Sequence, residues 1–146
     1  MFEKTYQNHR TMRRASGIII LAKSTKKILL SERSRHLPQA GSWTGWGGWN
    51  KPGEDPYEGA MRELIEETAF NGIIIEQHTL SVYQSSNFNY HNFLLIVEDE
   101  FEPKTDWESA RHGWYHFEDL PKPLHFGLKW LVAQDAHIIS GLIQKI

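Results

Sequence analysis

The sequence predicts an α/β fold in which a mixed β-sheet is sandwiched between α-helices. Three observations carry this: short apolar runs rich in β-branched residues, an amphipathic helix in mid-chain with its own start and stop signals, and a second at the C-terminal end. At 146 residues the chain falls in the range of one domain, read as 1–146 with a polar leader at 1–15. Apolar residues make up 40% and aromatics 12%, enough for a core and unlike a disordered chain.

Gly17 to Lys23 and Lys27 to Glu32 are apolar, β-branched runs separated by Ser24-Thr25-Lys26, which predicts a hairpin. Ser34 to Gly53 reads as a loop dense in Gly and Pro, yet it carries Trp43, Trp46 and Trp49, so it should wrap either the core or a ligand. Asp55-Pro56-Tyr57-Glu58 supplies an N-cap, a proline at the first helical position and an acid three residues on. That helix should run to about Phe70 and turn Tyr57, Ala60, Met61, Leu64 and Thr68 to the core, with Asn71-Gly72 ending it. Strands are expected over Ile73 to Gln84, Phe88 to Glu98 and His112 to Phe117, and a closing helix over Phe126 to Ile146.

Sixteen Lys plus Arg against 18 Asp plus Glu give a net charge of −2, which argues against nucleic acid as a main partner. The absence of cysteine excludes disulfides, thiolate zinc sites and cysteine nucleophiles. No apolar run approaches the roughly 18 to 20 residues of a membrane span, and Met1 to Ser16 lacks a secretory core. A cytoplasmic protein is the resulting expectation. His112 and His116 lie four apart on a presumed strand, roughly 13 Å at the usual rise, too far to share an ion.

On the mid-chain helix Glu63 stands three residues before Glu66 and four before Glu67, so three carboxylates crowd one face. Like charges at these spacings destabilise an isolated helix by a few tenths of a kcal/mol, roughly, per pair. An acidic surface face is ordinarily just solvated; a hard divalent ion such as Mg²⁺ or Mn²⁺ would instead turn the repulsion to use. Glu54 lies just ahead of the helix, within reach of the same region.

The wider spacing decides between these readings. Gly48, five residues, Glu54, seven residues and Arg62-Glu63-Leu64-Ile65-Glu66-Glu67 closely resemble the Nudix box, GX5EX7REUXEEXGU with U apolar. Six specified residues in register have a chance probability of roughly 10⁻⁷ per start at ordinary usage. One position departs: Ala69 stands where the box has its late glycine. Gly41-Ser42-Trp43, Trp114-Tyr115-His116-Phe117 and Asp119-Leu120-Pro121 also look like the family.

The resemblance implies a MutT-like, metal-dependent pyrophosphohydrolase of small nucleotides. It implies that Glu63 and Glu67 bind Mg²⁺ or Mn²⁺, that Glu66 binds it directly or through water, that the Gly48 carbonyl adds a ligand, and that Arg62 orients the glutamates. Glu108, six residues before Trp114, matches a glutamate that similar proteins bring to the metal, and is the expected general base ahead of Glu98, Asp99 and Glu100. Arg33 is the candidate for phosphate, with Arg35 a second; Trp46, Leu124 and His125 are candidates for substrate binding, Trp46 being weighed against simple packing.

Substrate markers do not converge. Leu29 to Ser34 begins like the coenzyme A type, the proline of the ADP-ribose type is missing near Ser85, and Leu124 stands near the asparagine of the oxidised-guanine type. The leading expectation is (d)NTP-type hydrolysis, with ADP-ribose or a nucleotide sugar second and a non-catalytic nucleotide sensor as rival. RNA 5′-end hydrolysis would need the Arg10, Arg13, Arg14 cluster as a channel. Many similar proteins are homodimers.

Overall fold

The computed structural model describes residues 13–146; Arg10 and most of the polar leader lie outside them. Strands β1 (Arg13–Ala22), β2 (Lys27–Arg33), β3 (Trp43–Thr44), β4 (Trp46–Trp49), β5 (Glu76–Thr79), β6 (Tyr83–Gln84), β7 (Phe88–Val97) and β8 (Ser109–His116) are joined by helices α1 (Pro56–Thr68) and α2 (Phe126–Lys145). The sheet is mixed: β1 runs parallel to β7 over its whole length, whereas β1–β2, β1–β4, β2–β8 and β5–β7 are antiparallel.

Both faces of β1 are buried, which is why its sequence reads as an unbroken apolar run. Ile18 and Ile20 point to a layer with Trp46, Ala60, Leu64, Phe93 and Leu95, under α1. Ile19 and Leu21 point to the opposite layer with Leu94, Ile96, Leu128, Leu131 and Ile139, under α2. Each such fully buried aliphatic side chain contributes roughly 1.5–3 kcal/mol. The expected sandwich of helix, sheet and helix follows from this alternation.

Four local expectations change. β1 starts at Arg13, so the last three residues of the polar leader belong to the sheet. The Trp-rich loop contains two short strands, because Ala15 to Ile18 needs partners beyond the reach of β2 and takes Trp46 to Trp49. The strand read over Ile73 to Gln84 divides into β5 and β6, with Leu80 buried and Ile73 left 85% exposed. β8 begins at Ser109, and Phe117 opens a 3-10 turn rather than ending a strand.

The mid-chain helix starts as its sequence signals: the Asp55 carboxylate accepts hydrogen bonds from Tyr57 N at 3.0 Å and Glu58 N at 3.2 Å. It does not run on to Asn71-Gly72. Ala69 itself takes the left-handed cap, φ 59° and ψ 28°, and donates its N–H to Ile65 O. Thr68 locks this end by donating to Leu64 O and accepting from Phe70 N, which pulls Phe70 into the core and stops the helix there. α2 is broken at Asp135 (φ −114°, ψ 21°), where a buried carboxylate turns to Ser81.

Candidate active site

The spacing of the acidic helix becomes a geometry through the glycines of β4. α1 packs beside β4, and its exposed face is ruled by Arg62. The guanidinium holds Glu54 at 2.9 Å, Glu63 at 3.2 Å and Glu66 at 3.3 Å, and donates to Trp49 O. Glu54 also accepts from Lys51 N, and these bonds, Arg62 foremost, bring its pKa down to about 2.

Glu67 faces inward and accepts a hydrogen bond from Gly47 N at 2.8 Å. Burial is the main cause that pushes its carboxyl up to about 8; Glu63, Glu108 and Asp106 add to it, and the Gly47 N–H opposes it. Burial raises Glu63 as well, against the pull of Arg62. A methyl group on Gly48 would lie 2.8 Å from the Glu63 carboxyl carbon, so only glycine lets the β4 backbone approach this carboxylate so closely.

This donor set fits a hard divalent ion. It is made of carboxylates set near one another, with the Glu63 carboxyl lying against the bare backbone of Gly48. Among the described residues no three acidic or imidazole side chains are gathered into one cage, and Arg62 pairs with both Glu63 and Glu66. A cation at this point would compete with Arg62 for them.

Glu67, Gly47 and Gly48 line a cavity of about 340 Å³, within the size range of small-ligand sites. Glu108 lines the same cavity, with Asp106 and Ser109 beside it, so the loop ahead of β8 does bring its acid to the acidic helix. Glu98 and Asp99 border a different groove, next to Phe70 and Phe101. Arg33 lines the cavity while its Nε donates to Pro38 O at 2.8 Å; Arg35 is exposed and outside the lining.

The structure places the remaining substrate-binding candidates differently. The Trp46 ring is buried, 2% exposed, and its indole N–H donates to Leu29 O, so it packs in the core while also lining the cavity. Leu124 is not in the lining; it bridges to Trp43 and packs on the α2-side core. His125 does line the cavity, caps α2 by accepting from Gly127 N, and is kept below its usual pKa by burial first and Arg33 second.

The aromatic wall was not anticipated from sequence. Trp49, Phe88, Tyr83 and Phe126 line the cavity and meet edge to face or tilted, at centroid distances of 5.8 Å for Trp49–Phe88, 5.9 Å for Tyr83–Phe88 and 5.5 Å for Tyr83–Phe126. Arg13 lies 3.6 Å above the Trp49 ring. A signal existed in β7, where Phe88, Tyr90 and Asn92 alternate on one face; which face would be open required the tertiary structure.

A family model described as the NUDIX domain matches residues 11–135. Fold and acidic helix thereby place the chain in a class of hydrolases that cleave diphosphate bonds. It belongs to the Nudix family. Human diphosphoinositol polyphosphate phosphohydrolase NUDT4B is 26% identical over 126 residues, covering 83% of this chain and 67% of that one. Among solved structures, the M. smegmatis Nudix hydrolase RenU superposes with a TM-score of 0.74 at 19% identity, covering 90% of this chain and 88% of that one. A C. elegans Ap4A hydrolase, solved as a binary complex, gives 0.66 at 24% identity over 87% and 98%. The two structural likenesses establish the fold. Among the described residues no helix is long and apolar enough to cross a membrane.

Proposed function

We propose that the protein hydrolyses the diphosphate bond of a nucleoside diphosphate linked to a further group, with (d)NTP-type nucleotides as the first substrate class. The observation that carries this is the half-buried Glu67 carboxylate, which accepts from Gly47 N and lines an aromatic-walled cavity together with Gly47, Gly48 and Glu108. Glu63, Glu66 and Glu67, with the Gly48 carbonyl, would hold Mg²⁺ or Mn²⁺. Bound there, such an ion neutralises the diphosphate and acidifies the attacking water.

The chain's own residues supply the rest. Arg62 orients the glutamates through its ion pairs, and Glu108 takes the proton from water as general base. Arg33 faces the phosphates as the cavity's permanent cation. Trp49, Phe88, Tyr83 and Phe126 offer a planar, apolar seat of the kind that a nucleobase fills.

A densely phosphorylated inositol, the substrate class in the human relative's name, suits this cavity less well. Among the described residues its lining carries Arg33 as the one permanent cation against Glu67, Asp106 and Glu108, and leaves most charges of a polyanion unpaired. ADP-ribose and nucleotide sugars retain both nucleoside and diphosphate and form the second reading. The same proposal carries a small-nucleotide partner and a cytoplasmic location, with homodimer formation to be read by sedimentation.

The test is a phosphate-release screen over nucleoside triphosphates, oxidised nucleotides, ADP-ribose, nucleotide sugars and a diphosphoinositol polyphosphate, in Mg²⁺ or Mn²⁺, with Glu67→Gln as the blank. Turnover of a nucleotide that the variant loses supports the proposal. Turnover confined to the inositol substrate, or unaffected by the variant, sinks it.

A further inference from the structure

Tyr90 lines the cavity, and the hydrolytic machinery described above gives it no part. It stands on β7 opposite Ala15 of β1, and β1 in turn pairs Gly17 with Gly47 of β4. Tyrosine, glycine and glycine therefore lie on three neighbouring strands. The ring reaches across β1: a methyl group on Gly17 would lie 3.0 Å from the ring carbon bearing the hydroxyl, and one on Gly47 would lie 2.8 Å from the hydroxyl oxygen. Both positions lack a side chain where the tyrosine passes.

The hydroxyl so delivered sits at the residue whose N–H holds Glu67. Its charged neighbours are Glu67, Glu63 and Arg33, and no hydrogen bond from a described residue contributes to its state. Desolvation, strengthened by the two carboxylates, keeps the phenol far above its usual pKa. It is therefore a neutral O–H donor throughout the working pH range. Tyr90 also lines the cavity together with Gly47, Gly48, Glu67, Arg33 and Glu108.

A simple packing role accounts for the ring but not for the oxygen. An apolar seat over two glycines would accept phenylalanine equally well, whereas the hydroxyl is engaged by no described residue and keeps its O–H free for a ligand in the cavity it lines. A diphosphate held in the cavity that Arg33, Tyr90 and Glu67 all line would have this hydroxyl among its neighbours. We propose that the Tyr90 hydroxyl donates a hydrogen bond to a non-bridging oxygen of the substrate's diphosphate, fixing the phosphate between Arg33 and the acidic helix. This rests on the diphosphate reading of the site and adds a substrate-contacting residue outside the acidic helix.

The experiment uses the full chain and a non-hydrolysable probe, methylenediphosphonate with Mg²⁺, so that binding is read without turnover. Calorimetry should show Tyr90→Phe weakening the probe about tenfold, the size of a hydrogen bond to a charged group, with Tm within a degree of the parent. For any nucleotide that the parent hydrolyses, kcat/KM should fall by a similar factor. Equal probe binding by parent and Tyr90→Phe overturns the assignment, as does a fall in Tm with unchanged affinity, which marks a structural oxygen. Failure of the parent to bind the probe overturns it too. Tyr90-dependent binding without nucleotide turnover would instead leave Tyr90 assigned and remove the nucleotide substrate class.

Discussion

Gly48 and Glu63 are matched across the strand–helix interface: the glycine has no side chain where the carboxylate lies, and an added methyl group would stand 2.8 Å from its carboxyl carbon. The obstacle is the end of a flexible side chain, so Gly48→Ala should fold and move Glu63 aside. We expect activity to fall by about tenfold or more, the usual sensitivity of a catalytic constellation to small displacements, with stability changed by less than about 1 kcal/mol. Kinetics alongside urea unfolding check this; full activity in the variant would show that the Glu63 position is not critical.

Glu67 makes stability depend on pH in a direction its burial sets. Its folded-state pKa of about 8 lies above the ordinary 4.5, so the folded protein binds this proton more tightly than the unfolded chain. Its contribution is fully present below pH 4.5 and is lost as the pH rises towards 8. The Tm of the parent should therefore drop relative to Glu67→Gln across that window. Mg²⁺ or Mn²⁺ at about pH 8 should restore the parent and leave the variant little changed. Parallel Tm curves, or equal response to the ion, would contradict it.

Ala69 holds a left-handed backbone, φ 59°, at a cost to any residue with a Cβ. Ala69→Gly should stabilise the protein by about 1 kcal/mol without altering the acidic face that precedes it. Thermal unfolding measures the gain; a loss of stability would mean that the alanine methyl has a packing role that outweighs the strain.

Asp135 ties α2 to the β5–β6 link by accepting from Ser81 N at 2.7 Å and from the Ser81 hydroxyl at 2.6 Å. Asp135→Ala leaves the Ser81 N–H without its acceptor and should cost about 2–3 kcal/mol, whereas Ser81→Ala removes the hydroxyl alone and should cost about 1 kcal/mol. The double variant should be less destabilised than the sum. Strict additivity in chemical unfolding would show that the two residues do not act as a unit.

What the sequence determined by itself is what depends on local spacing. Helical periodicity and capping placed a helix from Pro56 to about Phe70, two residues past its observed end at Thr68, and the i, i+3, i+4 arrangement of Glu63, Glu66 and Glu67 follows from helix geometry alone. The doubly buried β1 was legible as an apolar run, and with it the layered fold. The residues that only the tertiary structure decided are those whose role depends on which neighbour crosses over them. Trp46 and Trp49 lie three apart in one glycine-rich segment, yet the first is core and the second 46% exposed beside the cavity. Leu124 and His125 are adjacent, and only the second lines it. The Ala69 cap came from Thr68 and Phe70 being held in the core, which overrode the glycine signal at Gly72. Tyr90 meets Gly17 and Gly47 because three strands distant in sequence lie side by side. Local propensity carries no information about such long-range registers; burial against the two helices sets them.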